Sequence, residues 1–240
     1  MTPARLLAVP AVAAAAATAP VITSIGPLRQ LFFPRLHGRG LPGRIALTFD
    51  DGPDPSSTPR FLDLLGAHEV TATFFVLGSQ ALVDEELLAR IHREGHEVAV
   101  HGWTHRNHLR LSPSRVIAEI GRTADLITSV CGSPPRLARP PYGALSWADL
   151  AAGRRHGVPP VLWSAWGRDW EARATPARVL ARLAPGFHGG ATLLLHDSDC
   201  TSAPGAWQSA LGALPDVIAG CRSRGLRFVS MSEHLALPLA

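Results

Sequence analysis

"ALTFDDGPDP", residues 46–55, runs from apolar residues straight into two adjacent carboxylates, a glycine and two prolines. A short apolar run closed by turn residues reads as a buried strand that ends at Asp50. Like charges side by side repel and shift each other's pKa, so Asp50 and Asp51 call for a neighbouring cation or a chemical use. The plainer alternative is an Asx-type turn, whose loop geometry Asp favours.

Working outward, comparable runs recur along the chain: "IALTF" (45–49), "TATFFVL" (71–77), "EVAV" (97–100), "RLA" (136–138), "PVLWSA" (160–165), "ATLLL" (191–195) and "LRFVS" (226–230), seven candidate strands in all. Helix-start chemistry lies between them, with Ser57 or Thr58 before Pro59, Ser112 before Pro113 and Thr175 before Pro176. Strands alternating with helices predict an α/β fold with parallel pairing and right-handed crossovers, closed into a barrel or strongly wound. Such folds carry their sites at the carboxyl ends of the strands. The residues directly after these runs are Asp50 and Asp51, Gly78, His101, Arg139, the loop from Trp166 to Trp170, and His196.

"HGWTH" (101–105) lies directly after the third run. If the chain curls helically there, His101 and His105 face one direction and are spaced to share one ion. Two histidines four apart are also common on plain surfaces. Joined by Asp51 on the same rim, they form two imidazoles and one carboxylate, the three-ligand pattern of a catalytic metal site with an open position. A divalent cation there would offset the carboxylate repulsion and lower the pKa of a bound water from about 16 toward about 7. Asp50, left free, is placed to take the proton. Two imidazoles and a carboxylate suggest Zn²⁺, with Co²⁺ or Ni²⁺ able to substitute.

The remaining features bound the reading. At 240 residues, with 46% hydrophobic and 18% charged side chains, the chain is long enough for one sizeable core and has no low-complexity tract or repeat. The net charge of +4 comes from arginines scattered along the chain, so no nucleic-acid footprint is expected. Nothing points to a protein partner. Leu6 to Leu28 carry no charge, Arg5 and Arg29 flank them, and small residues at Ala15 to Ala19 suit cleavage; residues 1–28 are expected to be a signal peptide or membrane anchor. This implies export to the extracellular space or cell envelope, with 29–44 as a linker and 45–240 as the catalytic domain. Cys131, Cys200 and Cys221 share no metal-ligand spacing; one disulfide with a leftover thiol, or inert buried thiols, both fit. His108 reads as a solvated loop residue or a further rim imidazole, and Asp197 as support for the site. Trp147, Trp163 and Trp207 are expected to pack, and Trp103, Trp166 and Trp170 to fall in rim loops where a ring can stack on sugar.

The ordered set "TFDDGP" (48–53), "HGWTH" (101–105), "RPPYG" (139–143), "GRDW" (167–170) and "LLLHD" (193–197) resembles the five motifs of the polysaccharide deacetylase family, carbohydrate esterases with a NodB homology domain. The resemblance spans residues 45 to about 235. It implies a distorted (β/α)7 barrel, in keeping with the seven strands counted. It also implies hydrolysis of N-acetyl groups on a glycan, with Asp50 as general base, His196 as general acid, and Asp51, His101 and His105 as metal ligands. By the same resemblance Arg139 holds the base, the backbone N–H of Tyr142 receives the oxyanion beside the substrate, and Asp169 tunes Arg139 and His196. Trp170 would wall the groove and Leu194 would line the acetyl pocket. The chain departs from the family pattern at Gly102, usually Ser or Thr, and at Trp166, where many members have the first Asp of an Asp-x-x-Asp-Trp run.

Amide hydrolysis suits these residue types, since the oxyanion needs donors and the leaving amine needs a proton. A glycosidase would place its two acids on opposite sides of a sugar bond, about 5 Å or more apart, which adjacent aspartates at one strand end do not fit. A deacylase of a small amino-sugar metabolite would use the same machinery in a smaller groove. A catalytically inactive carbohydrate-binding relative would bind glycans and release no acetate.

Overall fold

The computed structural model describes residues 25–238 of the chain. Six parallel strands form its sheet: β1 (Arg44–Asp50), β2 (Thr73–Val76), β3 (Glu97–Val100), β4 (Ala165–Trp166), β5 (Thr192–His196) and β6 (Arg227–Val229). The order is β3-β2-β1-β5-β4, with β6 pairing the start of β1. Beyond β3 the ladder continues as single parallel bridges from Val100 to Ala138 and from Ala138 to Pro160. The same segment then runs through Ser164, whose N–H donates to Thr192 O at 3.1 Å, into β4 beside β5. A distorted α/β barrel results, with seven positions around its ring.

Two of those positions are thinner than the apolar runs predict. Residues 136–138 shrink to the one bridge at Ala138, and 160–165 to a bridge plus two strand residues. Prolines flank or open both runs (Pro134, Pro135, Pro140, Pro141, Pro159, Pro160), and each removes an N–H that a ladder needs.

The pleat of β1 sorts its side chains by face. Ile45, Leu47 and Phe49 enter the large core under the helices, whereas Ala46 joins Phe75, Ala99, Leu137, Val161 and Met231 in a small core inside the barrel. Thr48 and Asp50 continue that inner face, so it passes from apolar to hydroxyl to carboxylate toward the carboxyl rim. In register, Asp50 lies opposite His196 of β5.

Nine helices accompany these strands among the described residues: α1 (Gly26–Phe32), α2 (Thr58–Ala67), α3 (Gly78–Val83), α4 (Glu85–Arg93), α5 (Pro113–Cys131), α6 (Trp147–His156), α7 (Pro176–Leu183), α8 (Trp207–Arg222) and α9 (Met231–His234). Helices begin at the anticipated prolines, yet only Thr175 caps as expected, accepting from Arg178 N–H at 3.3 Å. The hydroxyls of Ser57 and Thr58 are turned instead to Asp197.

Residues 29–44, read as linker from the sequence, lie against the barrel, and Arg44 already opens β1. Leu36 O accepts from Leu162 N–H at 2.8 Å and Gly38 O from Thr192 Oγ1 at 2.6 Å, so this segment spans the place where the ring is thinnest. Most of the anticipated leader falls outside the described residues. Among the described residues no helix is long and apolar enough to cross a membrane. Cys131, Cys200 and Cys221 are all free thiols.

Candidate active site

β1 delivers Asp50 to the inner face, and the chain then turns at Asp51, whose φ of 80° lies in the left-handed region that non-glycine residues avoid. Such a backbone persists only where the surroundings fix it. At the next rim position, His101 N–H donates to Val76 O at 2.9 Å, extending the β2–β3 ladder by one residue. His101 Nδ1 lies 2.8 Å from Arg139 O, a carbonyl that only accepts, so Nδ1 carries the proton and the Nε2 lone pair is free.

That lone pair faces Asp51. His101 Nε2 is 3.4 Å and His105 Nε2 3.3 Å from Asp51 Oδ1. Oδ1 is buried and takes part in no hydrogen bond, and the ligand atoms of all three residues lie within 4.8 Å of one another. One carboxylate oxygen and two imidazole nitrogens, gathered without partners of their own, are a donor set that fits a divalent cation. Burial pushes the Asp51 carboxyl up, but the close approach of His101 and the field of His196, His101 and His105 outweigh it and hold the group well below the usual carboxylate range. Burial lowers His105 to about 4, so it is neutral and ready to ligate at neutral pH.

Asp50 is held from behind. Arg139 Nη1 lies 2.7 Å from its Oδ1 and also donates to Thr48 Oγ1 (2.9 Å), while Nε and Nη2 of the buried guanidinium donate to Val161 O (3.3 Å) and Leu162 O (3.2 Å). Asp169, the partner the resemblance gives to both Arg139 and His196, reaches His196 and not Arg139. Its two oxygens bracket His196 at Nδ1 (3.0 Å) and at the backbone N–H (2.7 Å). With Trp166 in place of a second carboxylate, backbone carbonyls serve the guanidinium. Burial disfavours a charged His196, but Asp169 foremost, then Asp51 and Asp50, raise it to about 10, so its ring is protonated at neutral pH.

A cavity of about 200 Å³ opens on this cluster. Asp50, Asp51, His101, His105, Tyr142, Trp170, Leu194 and His196 line it, and Arg139 and Asp169 sit behind its wall. Tyr142, at φ 61°, lays its ring against His105 with centroids 4.3 Å apart. Trp170 meets His196 edge-on, and Trp166 and Trp163 continue the row at centroid spacings of 5.0 and 5.7 Å.

Other expectations need correction. His108 is neither solvated nor a rim imidazole: it is buried, with Nδ1 2.6 Å from Asp149 Oδ1. Trp163 lines the cavity, Trp147 is exposed, and Trp103 is covered by the Arg122 guanidinium 3.4 Å above its ring. Gly102 lacks a hydroxyl, yet its carbonyl is tied down by Gly78 N–H and Thr123 Oγ1, each at 3.0 Å. Thr201 and Ser202, which carry no motif in the sequence, also line the cavity. The rim rule, extended a few residues past His196, reaches them.

Comparison with known proteins is consistent in kind. The polysaccharide deacetylase family profile matches residues 37–161. Over 189 residues the chain is 39% identical to a chitooligosaccharide deacetylase of Bradyrhizobium, covering 75% of this chain and 85% of that one. It is 36% identical over 190 residues to the peptidoglycan-N-acetylglucosamine deacetylase PgdA of Listeria monocytogenes, covering 79% of this chain and 38% of that longer protein. Among solved structures, the Bc1960 peptidoglycan N-acetylglucosamine deacetylase aligns with a TM-score of 0.77 at 29% identity, over 83% of this chain and 92% of its own.

Proposed function

Since the chain belongs to the polysaccharide deacetylase family, we propose that it is a metal-dependent hydrolase that removes N-acetyl groups from an N-acetylated glycan, leaving free amine and acetate. One observation carries the reading: the buried, unpartnered Asp51 Oδ1 facing two imidazole Nε2 atoms, with Asp50 beside it and left out of the cluster. Asp51, His101 and His105 would hold the cation, with zinc the first choice and cobalt or nickel able to stand in. When bound, the cation supplies Lewis-acid polarisation of the acetamido carbonyl and acidifies water at the site.

The chain's own residues do the rest. Asp50, held in place by Arg139, accepts a proton from the attacking water as the water oxygen bonds to the acetyl carbon. Charge that gathers on the former carbonyl oxygen needs donors fixed in advance, a role we assign to the backbone N–H of Tyr142. The C–N bond then breaks, and His196, kept protonated by Asp169, gives its proton to the leaving nitrogen. Leu194 and the Trp170 ring offer apolar surface to the acetyl methyl and the sugar face. The peptidoglycan and chitooligosaccharide relatives support a glycan chain as substrate and action at the cell envelope.

Acetate release from chitooligosaccharides and from peptidoglycan fragments tests the reading. Release is expected from at least one, to vanish with chelator and to return with added zinc. Glycan binding without acetate release in zinc-loaded protein would leave a carbohydrate-binding relative instead.

A further inference from the structure

The loop after β5 carries a residue with no assigned role that touches the candidate metal centre directly. Thr201 Oγ1 lies 2.5 Å from Asp51 Oδ2. The hydroxyl donates and the carboxylate oxygen accepts. The spacing is that of a charge-assisted O–H···O⁻ bond. The two carboxylate oxygens are thereby divided: Oδ2 is taken by Thr201, and Oδ1, without a hydrogen bond, faces His101 and His105.

Thr201 is itself anchored. The loop that holds it is laced to the loop after β1 by Ser57 Oγ to Asp197 O (2.5 Å), Thr58 Oγ1 to Asp197 Oδ2 (2.5 Å) and Ser198 Oγ to Asp54 Oδ2 (3.2 Å). Cys200 Sγ adds a contact to Asp51 O at 3.6 Å. Two strand ends that are neighbours in the sheet are thus tied together by side chains beyond their last ladder bonds, and Thr201 is the final tie.

We infer that Thr201 is a positioning residue for the metal centre: its hydroxyl locks the Asp51 carboxylate so that a single oxygen, Oδ1, is presented to the cation together with the two imidazoles. Without the hydroxyl the carboxylate turns freely about its Cβ–Cγ bond, and the centre must order it on each binding event. Partners of this kind are typically worth about 10–100-fold in metal affinity. The inference rests on the metal-dependent reading proposed above.

Zinc affinity of the full chain, stripped with chelator and titrated against a competing chromogenic chelator, provides the test, alongside thermal unfolding of the metal-free protein. Thr201→Val, which keeps the shape and loses the hydroxyl, is expected to bind zinc about 10–100-fold more weakly, while Thr201→Ser stays within a few-fold of the parent. The metal-free Thr201→Val protein is expected to unfold within a few °C of the parent, the cost of one hydrogen bond, a change much smaller than the loss of zinc affinity. Three results would overturn the inference: zinc binding by Thr201→Val as tight as the parent's, an equal loss in Thr201→Ser, or a fall in metal-free stability parallel to the loss of affinity. In each of these the parent still binds zinc and the deacetylase reading stands. A parent chain that binds no zinc would remove both.

Discussion

Asp50 Oδ1 and Arg139 Nη1 lie 2.7 Å apart in a buried contact, and no other carboxylate reaches that guanidinium among the described residues. The pair sits where apolar strand gives way to polar rim, with Phe75 beneath the guanidinium at 3.8 Å. Deleting the carboxylate therefore strands a buried cation. Asp50→Ala is expected to destabilise the fold by about 3–5 kcal/mol. Asp50→Asn leaves Nη1 an acceptor and is expected to cost less, to keep zinc, and to abolish acetate release. Denaturant unfolding and zinc titration of the two variants check this, and normal turnover by Asp50→Asn would remove the base assignment.

Asp51→Asn should separate binding from proton transfer in the other direction. It replaces the charged oxygen of the donor set with a neutral one while His101 and His105 remain. Zinc affinity is expected to drop by more than the roughly 100-fold upper range for loss of a ligand's partner, with activity partly restored at high zinc. Chelator-competition titration gives the affinity directly.

Gly102 has φ 88°, and a Cβ placed there would lie 3.2 Å from His108 Nε2. A side chain in this left-handed conformation costs about 1–2 kcal/mol. Gly102→Ser, although it restores the residue type that the family resemblance leads one to expect, should lower the melting temperature by a few °C. Repeating it in a His108→Ala background is expected to recover part of the loss, which differential scanning calorimetry on the four proteins of the cycle would read out.

Acid should weaken the fold through His234, which is fully buried in α9 with Nε2 3.3 Å from Gly38 O. Burial, assisted by Arg44, lowers it to about 4 from an ordinary 6.5. The folded protein holds this ring neutral and the unfolded chain does not. Its contribution is therefore present above pH 6.5 and is lost as pH falls toward about 4, up to about 3 kcal/mol. His234→Gln should flatten that part of the stability curve, measured by urea unfolding between pH 7 and 4.

The strand ends are readable because four of the apolar runs stop at a candidate site residue, which brings Asp50, Asp51, His101, Arg139 and His196 to one rim without knowledge of the fold. The hidden part depends on contacts distant in sequence. His108 and Asp149 are 41 residues apart, and nothing local marks their pairing. The docking of 29–44 depends on the Leu162 backbone N–H and the Thr192 hydroxyl, which carry no compositional signal. Trp166 was visible as a departure, but that carbonyls of Val161 and Leu162 would serve Arg139 in place of a carboxylate was not. Thr201 stayed hidden because a threonine in a Ser- and Asp-rich loop looks like every other loop residue.

The residues we assign as proton acceptor and proton donor, Asp50 and His196, are partners on a single rung between β1 and β5. Their separation is thus governed by interstrand spacing, about 4.8 Å, and by which way each side chain leaves the pleat. Crossover helices can lengthen, shorten or be exchanged without disturbing it. One residue inserted inside 45–50 or 192–196 would turn one partner out of the cavity, whereas changes in the loops that grip a substrate would leave the distance between the two side chains tied to the backbone.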